Sequence, residues 1–103
     1  MISRVWRGET TAANAEAYRR FVTTRIFSSL EKISGHRGAY LLRRDHDGHV
    51  EFLVITMWDS MQAVRQFAGD NPDQAVVEPE ARAMLANFDD FVRHFEVIHD
   101  SVK

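Results

Sequence analysis

The sequence has 103 residues, a length that suits one domain with a small hydrophobic core. Its net charge is -2 and its basic residues form no cluster, so nucleic acid is not an expected partner. It contains no cysteine, which excludes disulfides, thiolate metal sites and a cysteine nucleophile. No long apolar run follows the N-terminus, so we expect no signal peptide, no membrane span and a cytoplasmic location.

The first third of the chain predicts a strand followed by a helix. Ile2 to Glu9 is rich in β-formers and predicts the strand. Apolar residues then recur at helical spacing, and either Thr11 or Asn14 can cap the helix that Gly35 ends. The buried stripe of this helix comprises Tyr18, Phe21, Val22, Ile26, Leu30 and Ile33.

A β-hairpin is predicted next. Two β-rich runs, 38–44 and 49–58, are joined by Asp45-His46-Asp47-Gly48. An Asp-Gly pair at such a junction is a strong hairpin signal, because glycine supplies the positive φ of a tight turn. The turn alone accounts for the aspartates, so His46 and His49 are not expected to bind a metal.

The remaining elements complete an alternating pattern. A second helix opens at Asp59-Ser60 and ends at Gly69, and Asn71-Pro72 predicts the start of a short third helix. After Pro79, residues 80–88 predict another turn or two of helix, and residues 89–100 a last strand. The order β-α-β-β-α-(α)-β predicts one α+β domain, residues 1–103, with an antiparallel sheet of the ferredoxin-like βαββαβ type.

The third strand carries information beyond the single chain. Residues 52–58 are apolar on both faces, a pattern that implies burial on both sides of the sheet. The helices of so small a domain cover only one face, so we expect the sheet of a second copy to cover the other. In this homodimer, Ile2 and Trp6 are expected between the two sheets, together with Leu53, Ile55 and Met57.

Three segments resemble the antibiotic biosynthesis monooxygenase domain family: "MISRVWRG", "GHRGAYLLRR" and "FLVITMWDSMQAVRQFAG". The similarity covers residues 2 to 98, and its most specific part is the strand that ends at Trp58 before an amphipathic helix. The resemblance implies a dimeric α+β barrel and a monooxygenase that uses no cofactor. In monooxygenases of this family an asparagine lies four residues before the tryptophan, where this chain has Val54.

The resemblance also suggests a site. Trp58, Phe67 and Tyr40 would form the aromatic walls of a substrate pocket, although Trp58 can equally be a core residue. His36 or His94 would be the base, and Arg7 would hold an anionic intermediate.

Each of these polar residues also has a structural interpretation. His36 can be an exposed loop residue, and His94 can be a hydrogen-bonded residue at the dimer seam. Arg7 or its neighbour Arg4 can be paired with Glu96 on the last strand, because an unpaired buried charge is costly.

The haem-degrading members of the family provide a separate comparison. The resemblance places an asparagine near Arg7, a tryptophan near Phe67 and an iron-binding histidine near Val77, and all three are replaced here. No histidine lies between His49 and His94, so iron would lack its proximal ligand and haem degradation is not expected.

Two functions are therefore predicted, from different classes. The first is a monooxygenase that oxidises an electron-rich aromatic or quinol-type small molecule with molecular oxygen. The second is a non-catalytic dimer of the same fold with a binding or structural role. Convergence of His36, His94 and Arg7 on one cavity would favour the first.

Overall fold

A computed structural model describes residues 1–103 and shows one antiparallel sheet with helices on one face. The strands are β1 (Ile2–Thr11), β2 (His36–His46), β3 (His49–Trp58), β4 (Asn87–Phe88) and β5 (Arg93–Glu96). The helices are α1 (Ala12–Phe21), α2 (Phe27–Leu30), α3 (Met61–Ala68) and α4 (Pro79–Met84). A π-helical segment, Val22–Ile26, joins α1 to α2. The α+β, ferredoxin-like fold is confirmed. None of the helices is long and apolar enough to span a membrane.

The sheet runs in the order β2-β3-β1-β4, and β5 continues the edge beside β4 by pairing with β1. The predicted hairpin forms: Asp47 (φ 50°) and Gly48 (φ 78°) make the two-residue turn between β2 and β3. Positive φ at both positions matches the right-handed twist of the strands. The predicted caps also form, because Thr11 accepts a hydrogen bond from the Asn14 amide and Ser60 accepts one from that of Ala63.

The register of β1 on β3 determines the two faces of the sheet. Ile2 lies opposite Trp58, and Trp6 lies opposite Val54, so these residues share the face that the helices cover. The expectation that Ile2 and Trp6 lie on the far face is therefore wrong. Val5, opposite Ile55, is the apolar β1 residue that lies on the uncovered face with Leu53 and Met57.

Two predicted elements differ near the C-terminus. The segment after Asn71-Pro72 forms a turn and an isolated bridge instead of a helix. Its backbone pairs with the chain around Phe91, since Ala75 donates to the Asp90 carbonyl and Val92 to that of Asp73. The expected last strand is reduced to β5, and residues 87–88, which were expected to be helical, form the short strand β4.

The core lies between the sheet and the helices in two adjoining clusters. One cluster packs α1 against the middle of β3 through Tyr18, Phe21 and Phe52. The other surrounds Trp58 with Leu30 and Val64. A cavity that is partly open to solvent lies where the two clusters meet.

Candidate functional site

The segments α1, the π-helical turn and α2 follow one another as one long helix. The cavity lies between the sheet and this long helix and has a volume of about 90 Å³. Twelve of its 16 lining residues are hydrophobic. The four polar lining residues are Arg4, Ser29, Thr56 and Glu78, and Tyr18, one of the twelve, carries a hydroxyl. Because apolar walls exclude water, charges and hydrogen-bond donors in such a space act more strongly on a ligand than they would in solution.

Arg4 is the central polar group of the cavity. It lies on the helix-facing side of β1 and is only 5% exposed. Its guanidinium donates to the backbone carbonyls of Pro72 and Gln74, and Nη1 lies 3.0 Å from Nε2 of His94. It also lies over the ring of Phe67, 5.7 Å from the centroid. These contacts fix the guanidinium in one position.

The charge of Arg4 is not neutralised by a carboxylate in contact with it. Burial lowers the pKa of Arg4 to about 10, and the more distant charge of Asp73 offsets part of that effect. The group remains cationic at neutral pH. A buried cation that binds only neutral acceptors can gain free energy from an anionic ligand.

His94 supports Arg4 from the neighbouring strand. Burial, followed by the adjacent charge of Arg4, lowers the pKa of His94, so the ring is neutral at neutral pH. Since arginine can only donate, Nε2 of His94 accepts, and Nδ1 carries the proton directed at Asp73, 3.3 Å away. His94 thus orients Arg4, and its accepting nitrogen is already engaged.

Trp58 lies behind the cavity wall and does not line the cavity. It is fully buried, and its Nε1 donates to the Thr56 hydroxyl at 2.8 Å. Its ring stacks on Phe67 with centroids 5.9 Å apart. Phe67 and Thr56 do line the cavity, so Trp58 fixes the positions of two residues that a ligand would touch.

His36 also lies outside the cavity. Its ring packs edge-on against Trp58 at 5.0 Å, and its Nε2 is buried without a hydrogen-bond partner. Burial lowers the pKa of His36. The imidazole is therefore neither an exposed loop residue nor a group that reaches a ligand.

The other two predicted site residues lie on the uncovered face of the sheet. Arg7 forms ion pairs with Glu9 and Glu51, and the hydrogen bond to Glu51 is the main cause that raises its pKa. The expected pairing of Arg7 or Arg4 with Glu96 is not formed. Tyr40 is 51% exposed on the same face, so neither Tyr40 nor Arg7 lines the cavity.

The structure therefore brings together a different set of polar residues from the one that the sequence indicated. Of the predicted site residues, Phe67 lines the cavity directly, while His94 and Trp58 support lining residues. Arg4, Thr56 and Tyr18 were not predicted as site residues. The alternation of β1 and β3 could have identified Arg4 and Thr56, because each lies two residues from an aromatic residue on the helix-facing side.

The sheet order and the single covered face define a ferredoxin-like domain with an apolar cavity between its sheet and its helices. The family model described as "Antibiotic biosynthesis monooxygenase" matches residues 1–79. The chain therefore belongs to the antibiotic biosynthesis monooxygenase family, which confirms the resemblance seen in the sequence.

Solved structures show the same fold over nearly the whole chain. A variant of SnoaB, a cofactor-independent oxygenase from Streptomyces nogalater, is 20% identical with a TM-score of 0.68, and the match covers 96% of this chain and 94% of that one. The heme-degrader MhuD from Mycobacterium tuberculosis is 21% identical with a TM-score of 0.61, and the match covers 99% of this chain and 100% of that one. A Deinococcus radiodurans protein, provisionally described as an antibiotic biosynthesis monooxygenase, is 13% identical with a TM-score of 0.67. That match covers 100% of this chain and 97% of that one. No curated protein matches the chain significantly.

Proposed function

We propose that this protein is a cofactor-independent monooxygenase that acts on an electron-rich aromatic or quinol-type small molecule. The observation that carries the proposal is Arg4, a buried cation without a contacting carboxylate in a mainly apolar cavity. A phenol or enol entering this cavity loses its hydration, and Arg4 favours its ionised form. Family membership and the likeness to SnoaB agree with this chemistry.

The chain's own groups are sufficient for the proposed reaction. Arg4 binds the phenolate or enolate oxygen, while the Tyr18 and Thr56 hydroxyls can hydrogen-bond the substrate. Burial raises the pKa of Tyr18, so its hydroxyl stays protonated and can donate. Glu78, the carboxylate of the lining, accepts the substrate proton.

The proposed oxidation needs no external reductant, because the substrate itself supplies the electrons. The substrate anion transfers electrons to molecular oxygen, and a C–O bond forms at the ring carbon opposite the anion. Loss of water from the resulting peroxide converts a substrate CH₂ group and O₂ into a carbonyl group and H₂O. The role of the protein is to desolvate, ionise and orient the substrate.

An oxygen electrode tests this proposal with a panel of anthrones, quinols and catechols. We expect enzyme-dependent oxygen uptake on at least one of them, and loss of most of this rate in Arg4→Gln. Arg20→Gln, on an exposed surface of α1, is the matched control and should keep the wild-type rate. No uptake above buffer on any compound would contradict the proposal.

A second candidate function is a non-catalytic protein that binds a small ligand in the same cavity. It is favoured by the positions of His36, His94 and Arg7, none of which lines the cavity. Saturable ligand binding without oxygen uptake would identify this function.

We further propose that the protein is a homodimer in which the uncovered sheet faces of two copies pack together. Val5, Leu53, Ile55 and Met57 lie partly exposed on this face. Tyr40 and Leu42 lie beside them and are 51% and 45% exposed. A second copy would bury these apolar side chains without covering the cavity on the opposite face.

A further inference from the structure

We infer that the cavity recognises a carbonyl oxygen of its ligand through the hydroxyl of Thr56, which Trp58 holds in position. This inference deepens the proposed function, because it adds a neutral acceptor group to the substrate class and assigns a residue to it. The recognition requires no charge on the ligand and no oxygen chemistry, so uncharged ligands can test it.

Thr56 belongs to the wall that the sheet contributes to the cavity. It is 5% exposed and lines the cavity together with Val54 of the same strand. Its partner in the register is Arg4 on β1, so the two side chains lie next to each other on the helix-facing side. A ligand that reaches Arg4 therefore also reaches Thr56.

The hydroxyl of Thr56 has a proton without an acceptor. Its oxygen accepts a hydrogen bond from Nε1 of Trp58 at 2.8 Å, while the hydroxyl donates to no group of the chain. A buried donor without an acceptor costs free energy that an acceptor on a ligand would recover. Because hydrogen bonds in a chain strengthen one another, the indole N–H also makes the hydroxyl a better donor. Trp58 is therefore a positioning residue that acts on the ligand through Thr56.

A carbonyl group suits this wall better than a hydroxyl group does. The other polar groups of the sheet wall are the guanidinium of Arg4, which can only donate, and the indole of Trp6, whose N–H already donates to the Asp89 carbonyl. A ligand hydroxyl bound to Thr56 would bring a proton for which neither Arg4 nor Trp6 is an acceptor. A carbonyl oxygen brings two lone pairs and no proton, so it can accept from Thr56 and Arg4 together.

The rest of the ligand can extend towards the open side of the cavity. Ser29, Val76 and Glu78 line the cavity and are exposed. A ring or chain attached to the carbonyl group can thus pass between them into solvent. The sheet wall therefore selects the group at the inner end of the ligand and not its overall size.

Binding of 1-indanone and indane to the intact protein provides the test. Both compounds are uncharged and have the same skeleton, and a carbonyl group in the first replaces a CH₂ group of the second. Isothermal titration calorimetry measures the two dissociation constants, and infrared difference spectra measure the carbonyl stretching frequency of bound 1-indanone. We expect saturable binding of 1-indanone and a frequency below its value in hexane, because a hydrogen bond to the oxygen weakens the C=O bond.

Removal of the Thr56 hydroxyl should abolish both effects. In Thr56→Val, the affinity for 1-indanone relative to that for indane should fall about fivefold, and the carbonyl frequency should rise towards its value in hexane. Thr56→Ser keeps the hydroxyl and should retain both. Thr10→Val is the matched control, since Thr10 is a buried threonine that donates to the Met84 carbonyl and does not line the cavity. It should keep the wild-type preference and frequency.

A second pair of variants separates the hydroxyl from its partner. Thr56→Val leaves the buried N–H of Trp58 without an acceptor, which can itself destabilise the protein. Trp58→Phe removes this N–H and keeps Thr56, so it should retain most of the preference for 1-indanone with a smaller frequency shift than the wild type. The double variant Trp58→Phe with Thr56→Val should lose both. Equal preference and frequency in these two proteins, or no binding of 1-indanone to the wild type, would overturn the inference.

Oxygen uptake distinguishes the carbonyl site from the proposed function. A preference for 1-indanone that depends on Thr56, with no oxygen uptake on any compound of the panel, would support the carbonyl site and contradict the monooxygenase. Enzyme-dependent oxygen uptake, with a preference that Thr56→Val leaves unchanged, would support the monooxygenase and contradict the carbonyl site.

Discussion

Arg4 and His94 are the pair of residues on which the candidate site depends. His94 accepts from Arg4 through Nε2, so its neutral form positions the guanidinium. His94→Ala should lower kcat/KM for an anionic substrate by about tenfold, since hydrogen bonds to charged groups contribute roughly 1.5–3 kcal/mol. The effect should appear mainly in KM, because the side chain does not touch the substrate.

A conservative replacement distinguishes positioning from a general loss of structure. The amide of His94→Gln can place an acceptor near the position of Nε2 and should recover part of the lost affinity. Equal impairment in His94→Ala and His94→Gln, with both proteins stable, would contradict the positioning role.

The two partly buried histidines, His36 and His94, predict how stability depends on pH. Burial is the main cause that holds the pKa values of both His36 and His94 below the ordinary value of 6.5. Their neutral forms are therefore favoured in the folded state. The associated stability is fully present above about pH 6.5 and is lost as the pH falls from there towards the lowered folded pKa values.

Urea unfolding between about pH 7.5 and 5 measures this loss. His36→Asn removes one titrating group and should reduce the fall in unfolding free energy over this range. His46→Gln, at the exposed hairpin turn, should leave the slope unchanged. Stability that rises as the pH falls below 6.5 would contradict the argument.

The residue pattern assigned the two faces of β3 correctly, but it identified the members of each face of β1 and assigned those faces incorrectly. Alternation places Arg4 with Trp6 and Val5 with Arg7, yet a period of two does not say which face the helices cover. Pairing decides the assignment, because Ile2 lies opposite Trp58 in the register. Arg7 was therefore considered for the site while Arg4, three residues earlier, occupies it.

Among the elements, those with local signals were predicted well. The Asp47-Gly48 turn and the caps at Thr11 and Ser60 depend only on neighbouring residues, and all three form. The segment from Asn71 to Glu78 depends instead on distant partners. Its bridge between Gln74 and Phe91 and its carbonyl contacts with Arg4 replace the helix that Asn71-Pro72 indicated.

The N-cap of α3 is a specific test of these local signals. Ser60 accepts from the Ala63 amide at 3.2 Å, so Ser60→Ala should reduce the free energy of unfolding by about 1 kcal/mol. Chemical denaturation of the two proteins measures the difference. Ser28→Ala, at an exposed position within α2, should be neutral or slightly stabilising. Equal stability of Ser60→Ala and the wild type would show that the cap contributes little.

For the molecule as a whole, the uncovered sheet face makes dimerisation the main prediction. Burial of Leu53, Ile55 and Met57 against a second copy would contribute on the order of 1.5–3 kcal/mol for each side chain. Ile55→Asp would place an unpaired carboxylate there, so this variant should be monomeric or unfolded. Val102→Asp, at the exposed C-terminus, should remain dimeric.

Light scattering at micromolar concentration measures the oligomeric state. A monomeric wild type would contradict the argument that both faces of β3 are buried. It would leave the fold of each chain and its cavity unaffected, because the cavity is lined by residues of one chain.

Added hemin distinguishes this chain from the haem-degrading branch of the fold. Val77 lines the cavity, and the lining contains no histidine. Hemin should therefore give no sharp, saturable Soret band of the histidine-ligated type. Such a band, lost on replacing one of the five histidines, would contradict the prediction.

The π-helical segment makes the length of the long helix as important as its composition. The Phe27 amide donates to the Val22 carbonyl, so the chain completes this turn with one residue more than an α-helix would use. Each residue of an α-helix turns the chain by about 100°. Tyr18 and Leu30 are twelve residues apart, so a regular α-helix would place them about 120° apart, whereas the extra residue of the π turn lets both face the core. Deleting one residue here would restore α-helical spacing with both side chains still on the buried face. Natural relatives that lack the π turn are thus expected to be one residue shorter in this segment, a difference that no single substitution would reproduce.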